Sequence, residues 1–442
     1  VKPTTTSLTA AIVLVVFCGG TARGDEVDDR VEALVKSLAG HVRRNENVEA
    51  RPVIHVDLAA TKVTDEDLMA FAPLRGLEIL DLNKTQVTDV GIAELRNIAT
   101  FKSLGLRNTK VTDSALKHLK GLPKLQTLYL SGIRITDACM PDLAEITSLQ
   151  ELSITGTAIS DVGMQHIKKL KSLRTLYLAN SEVTDIGLKE LTELESVEQL
   201  SLSQLKVTDA GMKEIGKLQQ LRTLNLESTN VTDAGLKEIR ELQQLRELYL
   251  GNTKVTDAGL KEIGGLEELR ELNLENTRVT DAGLKDLLGL QKLYSLGLYN
   301  TRVTDVGMVT LIELKRLEKL GLNGTRVSSI GLKELVALKN LKRLSLNYSR
   351  VTDANLEELT KLKNLEQLDL GSTQITDEGL KKLKGIENLD TLVIRVTFIS
   401  DASIEELKGF PALETLVYGG SRLSYSGINH LQKALPKCKI LP

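Results

Sequence analysis

Tryptophan is absent from this chain and aromatic residues make up 3% of it, so any core must be built from aliphatic side chains. The five histidines, His41, His55, His118, His166 and His430, are scattered and form no metal-ligand spacing. There is no HExxH pair, no phosphate-binding glycine loop and no G-x-S-x-G element, which leaves no constellation for intrinsic catalysis and implies no metal and no cofactor. Charge of one sign is also missing. The 57 Lys and Arg residues nearly balance 59 Asp and Glu, giving net −2, and such a chain has no overall field for nucleic acid or an anionic membrane.

Long hydrophobic runs are missing too. The one at Leu8 to Phe17 is too short to cross a bilayer of about 30 Å as a helix, so no membrane span is expected. With Lys2 before it and Ala22-Arg23-Gly24 after it, the run reads as a signal peptide over residues 1–24, cleaved after Gly24. Cys18 follows the bulky Phe17, which fits a lipidation signal poorly. Export would leave Cys139 and Cys438 almost the whole chain apart, so no disulfide is expected and both thiols are read as inert.

What fills the chain is one pattern repeated. Val63-Thr64-Asp65 recurs in recognisable form every 24 residues, at Val87, Val111, Ile135 and onward to Leu423, for sixteen repeats without insertion or deletion. One copy shows the design: Leu221, Leu224, Leu226, Thr229 and Val231 fill L-x-x-L-x-L-x-x-T-x-V, followed by Thr232-Asp233-Ala234-Gly235-Leu236 and Ile239. Leu224 and Leu226 share one face of a strand, whereas Leu236 and Ile239 share one face of a helix. Neither element buries its apolar face alone, so adjacent copies must stack, strand on strand.

These residues resemble the leucine-rich repeat family across almost all of the chain after residue 24. The T-D-x-G-L extension is most similar to ribonuclease-inhibitor-like and F-box leucine-rich proteins, and to secreted bacterial proteins of 24-residue copies. The resemblance implies an α/β fold, a leucine-rich repeat solenoid or horseshoe with a parallel β-sheet on the concave face and helices on the convex face. The expected organisation is an N-terminal cap of helix plus short strand at 25–52, repeats at 53–436 and a C-terminal half-repeat at 437–442. Val31, Leu34, Val35 and Leu38 form the apolar stripe of that first cap, and Leu431, Leu435 and Ile440 belong to the last.

Two polar columns accompany the leucines. Thr or Ser stands where the family usually has Asn or Cys, as at Thr61, Thr85, Thr253, Ser349 and Ser421, and is expected to satisfy turn amides. Only Ile133 and Leu205 lack the hydroxyl. The aspartates from Asp65 and Asp89 to Asp401, broken at Ser329 and Tyr425, read as helix N-caps rather than as a calcium ladder.

Sixteen rungs at about 4.8 Å give an inner face on the order of 75 Å long, suited to a macromolecule. Tyr129, Tyr177 and Tyr249 lie between the strand leucines of their repeats, and Tyr294, Tyr299 and Tyr348 occupy neighbouring positions. Tyr249, Tyr294, Tyr299 and Tyr348 are a candidate binding cluster, with scatter on a tolerant strand face as the alternative. A basic row, Lys206, Lys254, Arg278, Arg302, Arg326 and Arg350, forms a rim that is either a solvated edge or a grip for an anionic partner. Glu247, Glu271 and Glu275 nearby temper its positive charge.

The expected function is therefore a non-catalytic, extracytoplasmic binding module of a bacterial cell envelope. A protein or peptide is the expected partner, and an acidic glycan is also open. Two alternatives are a ubiquitin-dependent degradation adaptor, for which the roughly 28 residues ahead of the repeats leave no room for an F-box, and a passive surface-layer protein.

Overall fold

A computed structural model describes residues 24–442, so the expected signal peptide lies almost wholly outside the described residues. The chain divides into two compact units, one ending at Val207 and the other running from Thr208 to Pro442.

The first unit opens with helix α1 (Gly24–Ser37) and strand β1 (His41–Arg44), which pairs antiparallel with β2 (Val53–Asp57). Val31, Leu34 and Val35 on α1 are buried, and the Asp28 carboxylate accepts the Val53 amide. Arg44 ties β1 back to α1 through Glu32 at 2.7 Å and Asp29 at 2.6 Å. From β2 the chain repeats through β3 (Ile79–Asp81), β4 (Ser103–Gly105), β5 (Thr127–Tyr129), β6 (Glu151–Ser153), β7 (Thr175–Tyr177) and β8 (Gln199–Ser201), each parallel to the one before.

The second unit continues the pattern from β9 (Thr223–Asn225) through β10 (Glu247–Tyr249), β11 (Glu271–Asn273), β12 (Ser295–Gly297) and β13 (Lys319–Gly321). It proceeds through β14 (Arg343–Ser345), β15 (Gln367–Asp369), β16 (Thr391–Val393) and β17 (Thr415–Val417), and ends at β18 (Lys439–Leu441). Its register pairs leucine with leucine, Leu224 to Leu248 to Leu272, because a slip of one residue would turn the whole apolar row outward. Those leucines are sealed against the helices, while the residues on either side of each face away from the core.

The two polar columns work differently from the sequence expectation. The buried Thr hydroxyls donate to a carbonyl three residues back, as Thr253 does to Leu250 at 2.6 Å, so most close a turn through its oxygen, while the expected amide bond is present at Thr61 and Ser421, each at 3.4 Å. The helix N-cap is the threonine before the aspartate: the Thr256 hydroxyl accepts the Ala258 amide at 3.3 Å. The aspartate, freed from capping, reaches across to the next repeat. Asp257 accepts the Thr280 amide at 2.7 Å and the Thr280 hydroxyl at 2.6 Å, and the same pair of bonds recurs from Asp281 to Thr304 and from Asp353 to Thr376. Within each unit this column is thus a ladder that stitches a repeat to the following one wherever the aspartate is present. It also explains one glycine: a Cβ on Gly283 would stand 2.5 Å from the Asp257 Oδ1. Where the equivalent residue is Ala115, Cys139 or Ser403 the first turn is 3₁₀, as it also is in the helices that begin at Gly187 and Gly283.

Candidate functional site

The outward residues of the second unit's sheet form rows that can be read along the strand register. At the first strand position the sequence runs Glu247, Glu271, Ser295, Lys319, Arg343 and Gln367. At the third it runs Tyr249, Asn273, Gly297, Gly321, Ser345 and Asp369. Acid and tyrosine at one end thus give way to two glycines and then to two cations.

Glu271 gathers two of the predicted tyrosines. Tyr249 donates to it at 3.2 Å and to Glu247 at 3.3 Å, and Tyr294 donates to its other oxygen at 3.3 Å. Burial, reinforced by the two carboxylates, pushes the Tyr249 phenol well above its ordinary range, and burial beside Glu271 raises Tyr294. Both phenols therefore stay neutral donors, and the ammonium of Lys319 lies 5.4 Å from the Tyr294 ring centre. Burial and Glu227 raise the Glu275 carboxyl.

Gly297 and Gly321 lack side chains, and over them lies a depression of about 360 Å³ bordered by Glu275, Lys319, Arg343 and Asp369. Neither Lys319 nor Arg343 makes an ion pair among the described residues, and these two cations on adjacent rungs share the depression with Glu275 and Asp369. Sequence reasoning missed this pair. The signal was present, since Gly follows the core leucine in two successive repeats, at Gly297 and Gly321, and otherwise does so only at Gly105.

The other predicted residues lie apart from Glu271. Tyr299 and Tyr348 belong to the turn after the strand: the edge of the Tyr299 ring would lie 3.2 Å from a Cβ on Gly324, and Tyr348 is 66% exposed on backbone with φ 55°. In the first unit, Tyr129 donates to Glu151 at 2.9 Å beneath the Arg107 guanidinium, 3.9 Å from the ring centre. Burial and that hydrogen bond push its phenol up to about 12. Tyr177 stands two rungs further, with Ser153 between.

The basic rim is regular. The amides of Lys254, Arg278, Arg302, Arg326 and Arg350 each bond the valine carbonyl of the preceding repeat at 2.9–3.1 Å. All five side chains are exposed, and none has an acidic partner among the described residues. Cys139 and Cys438 are free and buried, and burial raises both thiols.

No curated protein matches the chain. Among solved structures, a leucine-rich repeat protein from Leptospira interrogans is similar with TM-score 0.56 and 26% identity, over 84% of this chain and 85% of that one. An internalin from Listeria monocytogenes is similar in fold, with TM-score 0.52 and 22% identity, over 83% of this chain and 94% of that one. Residues 147–204 match the family described as leucine rich repeat, and residues 211–433 match the leucine-rich repeat region. The chain belongs to the leucine-rich repeat family.

Proposed function

We propose that this chain is a non-catalytic binding module, exported from the cytoplasm, whose second unit takes a protein or peptide on its exposed sheet face. The observation that carries this reading is the two-sided polarity of that face: Tyr249 and Tyr294 on Glu271 at one end, and Lys319 and Arg343 beside a glycine-floored depression at the other. A partner with one basic and one acidic group, and a side chain small enough for the depression, meets complementary charge at both ends. Half-buried tyrosines already held by hydrogen bonds offer contact area at little further entropic cost. The Lys254 to Arg350 rim supports a second reading, an acidic glycan gripped by side chains that have no partner of their own.

The test is a cross-linking capture from a cell-envelope extract with the parent chain and with the triple variant Tyr249→Ala, Tyr294→Ala and Arg343→Ala, after both are shown to fold. A partner held by the parent and lost by the variant supports the sheet face. Capture of the same partners by both refutes it, and partners that dissociate on adding a soluble polyuronate point to the rim.

A further inference from the structure

One backbone position in every repeat, two residues before the exposed rim residue, has positive φ: Asn252, Asn276 and Asn300 take it with the residue type best suited to a left-handed turn. Glycine fills it at Gly132, Gly156, Gly324 and Gly420, and small or unbranched polar residues fill it at Ala60, Lys84, Gln204, Ser228 and Ser372; two repeats instead place a large or branched apolar side chain there. Tyr348 at φ 55° places a ring there, and Val396 at φ 54° places a β-branched side chain, the kind least tolerant of that conformation. Neither departure serves the core, because Tyr348 is 66% and Val396 57% exposed. A costly conformation that carries an exposed apolar side chain is the mark of a surface selected for contact.

The neighbours extend the patch. Phe398, two residues beyond Val396, is 44% exposed at the rim position, and the Arg422 guanidinium of the next repeat lies 4.7 Å from its ring centre. Val396 leans toward the next turn, its Cγ2 3.0 Å from where a Cβ on Gly420 would stand. The stem of Arg395 lies over Gly371, its Cγ 3.1 Å from where a Cβ there would be, on the side of Asn347 and hence of Tyr348. Successive amides join these turns: Tyr348 to Gly371 at 3.0 Å, Ser372 to Arg395 at 2.8 Å and Val396 to Gly419 at 2.9 Å. Arg350, Arg395 and Arg422 have no carboxylate partner among the described residues. Three arginines surround the apolar centre, and a carboxylate stands near one of them: the Asp369 Oδ1 lies 3.1 Å from the same Cβ position on Gly371 without an ion pair to Arg395.

From this we infer that Tyr348, Val396 and Phe398, ringed by Arg350, Arg395 and Arg422, form a docking patch for an acidic peptide segment bearing a large apolar side chain. The apolar residue covers Val396 and Phe398, and its flanking carboxylates pair with the arginines. A peptide fits better than a polyanionic glycan, because a glycan would use the charges and leave the strained valine without a purpose. The patch is separate from the Glu271 tyrosines and stands or falls without them.

The experiment is selection of a random-peptide display library on the full chain, followed by fluorescence-polarisation affinities of the enriched peptide. Enriched sequences are expected to be net acidic with at least one large apolar residue. The double variant Tyr348→Asn, Val396→Asn should weaken binding about tenfold or more. Its Tm should be no lower than the parent's, since asparagine suits this backbone. Arg395→Gln with Arg422→Gln should weaken binding by a similar factor and flatten its salt dependence. Neutral or basic enriched peptides, no enrichment, or an unchanged affinity in the asparagine variant would overturn the proposal. So would dextran sulfate binding that depends on Val396 and Phe398 as strongly as peptide binding does.

Discussion

Asn355 donates from its side-chain amide to the backbone carbonyl of Ser329 at 3.0 Å, and the two residues are exceptions to the repeat that permit each other. In most other repeats the first of these positions is an aspartate whose carboxylate occupies the space beside the second, which is glycine apart from Ala115, Cys139 and Ser403; a Cβ on Gly259 would lie 2.5 Å from Asp233. Serine at 329 vacates that space, its hydroxyl takes the Thr352 amide at 2.9 Å, and asparagine fills the room with φ 60°.

The pair should therefore behave as a unit. Ser329→Asp alone is expected to destabilise the chain by about 1–3 kcal/mol by overpacking against Asn355. Asn355→Gly alone should be nearly neutral, and the double variant should recover most of the loss. Urea midpoints of the four proteins give the coupling, expected at about 1 kcal/mol or more. Additive effects would show that the two exceptions are unrelated.

The aspartate ladder makes a second, opposite prediction three repeats earlier. Asp257→Ala removes both bonds to Thr280 and strands its amide, at a cost of about 1–3 kcal/mol. In the parent, Gly283→Ala should be destabilising, but in the Asp257→Ala background the added methyl meets no carboxylate and its penalty should shrink. Thermal melts of the three variants read this directly.

Acid should loosen the ladder at Asp377. Burial opposes its charge, but the Ser400 amide and the hydroxyls of Ser403 and Ser400 outweigh burial and hold its pKa below the ordinary carboxylate value. Its contribution is therefore fully present above about pH 4 and is lost as the pH falls through the lower, folded-state value. The stability difference between the parent and Asp377→Asn should be largest at neutral pH and should narrow toward pH ~2. A difference that grows on acidification would reverse the sign argued here.

Buried thiols give the simplest measurement. Cys139 is 1% exposed and burial beside Asp113 disfavours its thiolate, so reaction with a coloured disulfide reagent at neutral pH should wait for unfolding. Cys438 is 4% exposed near the C-terminal end and should react sooner than Cys139 through local opening. Immediate reaction of Cys139 in the folded chain would contradict this packing.

The sequence by itself determined the period, the family and the strand register, because a leucine every second residue, recurring every 24, can be buried in one stacking only. It also named the tyrosines and the basic rim, since each follows from position within the repeat. Only the tertiary structure decided what those columns do. Which residue caps a helix and which reaches the next repeat depends on atoms 23 residues away, as between Asp257 and Thr280. The same distance separates Tyr294 from the Glu271 that joins it to Tyr249, and sets both apart from Tyr299 and Tyr348. The strain at Val396 was invisible for a related reason: a backbone angle is imposed by the turn's hydrogen bonds to its neighbours, and the residue's identity tells only what it costs to comply.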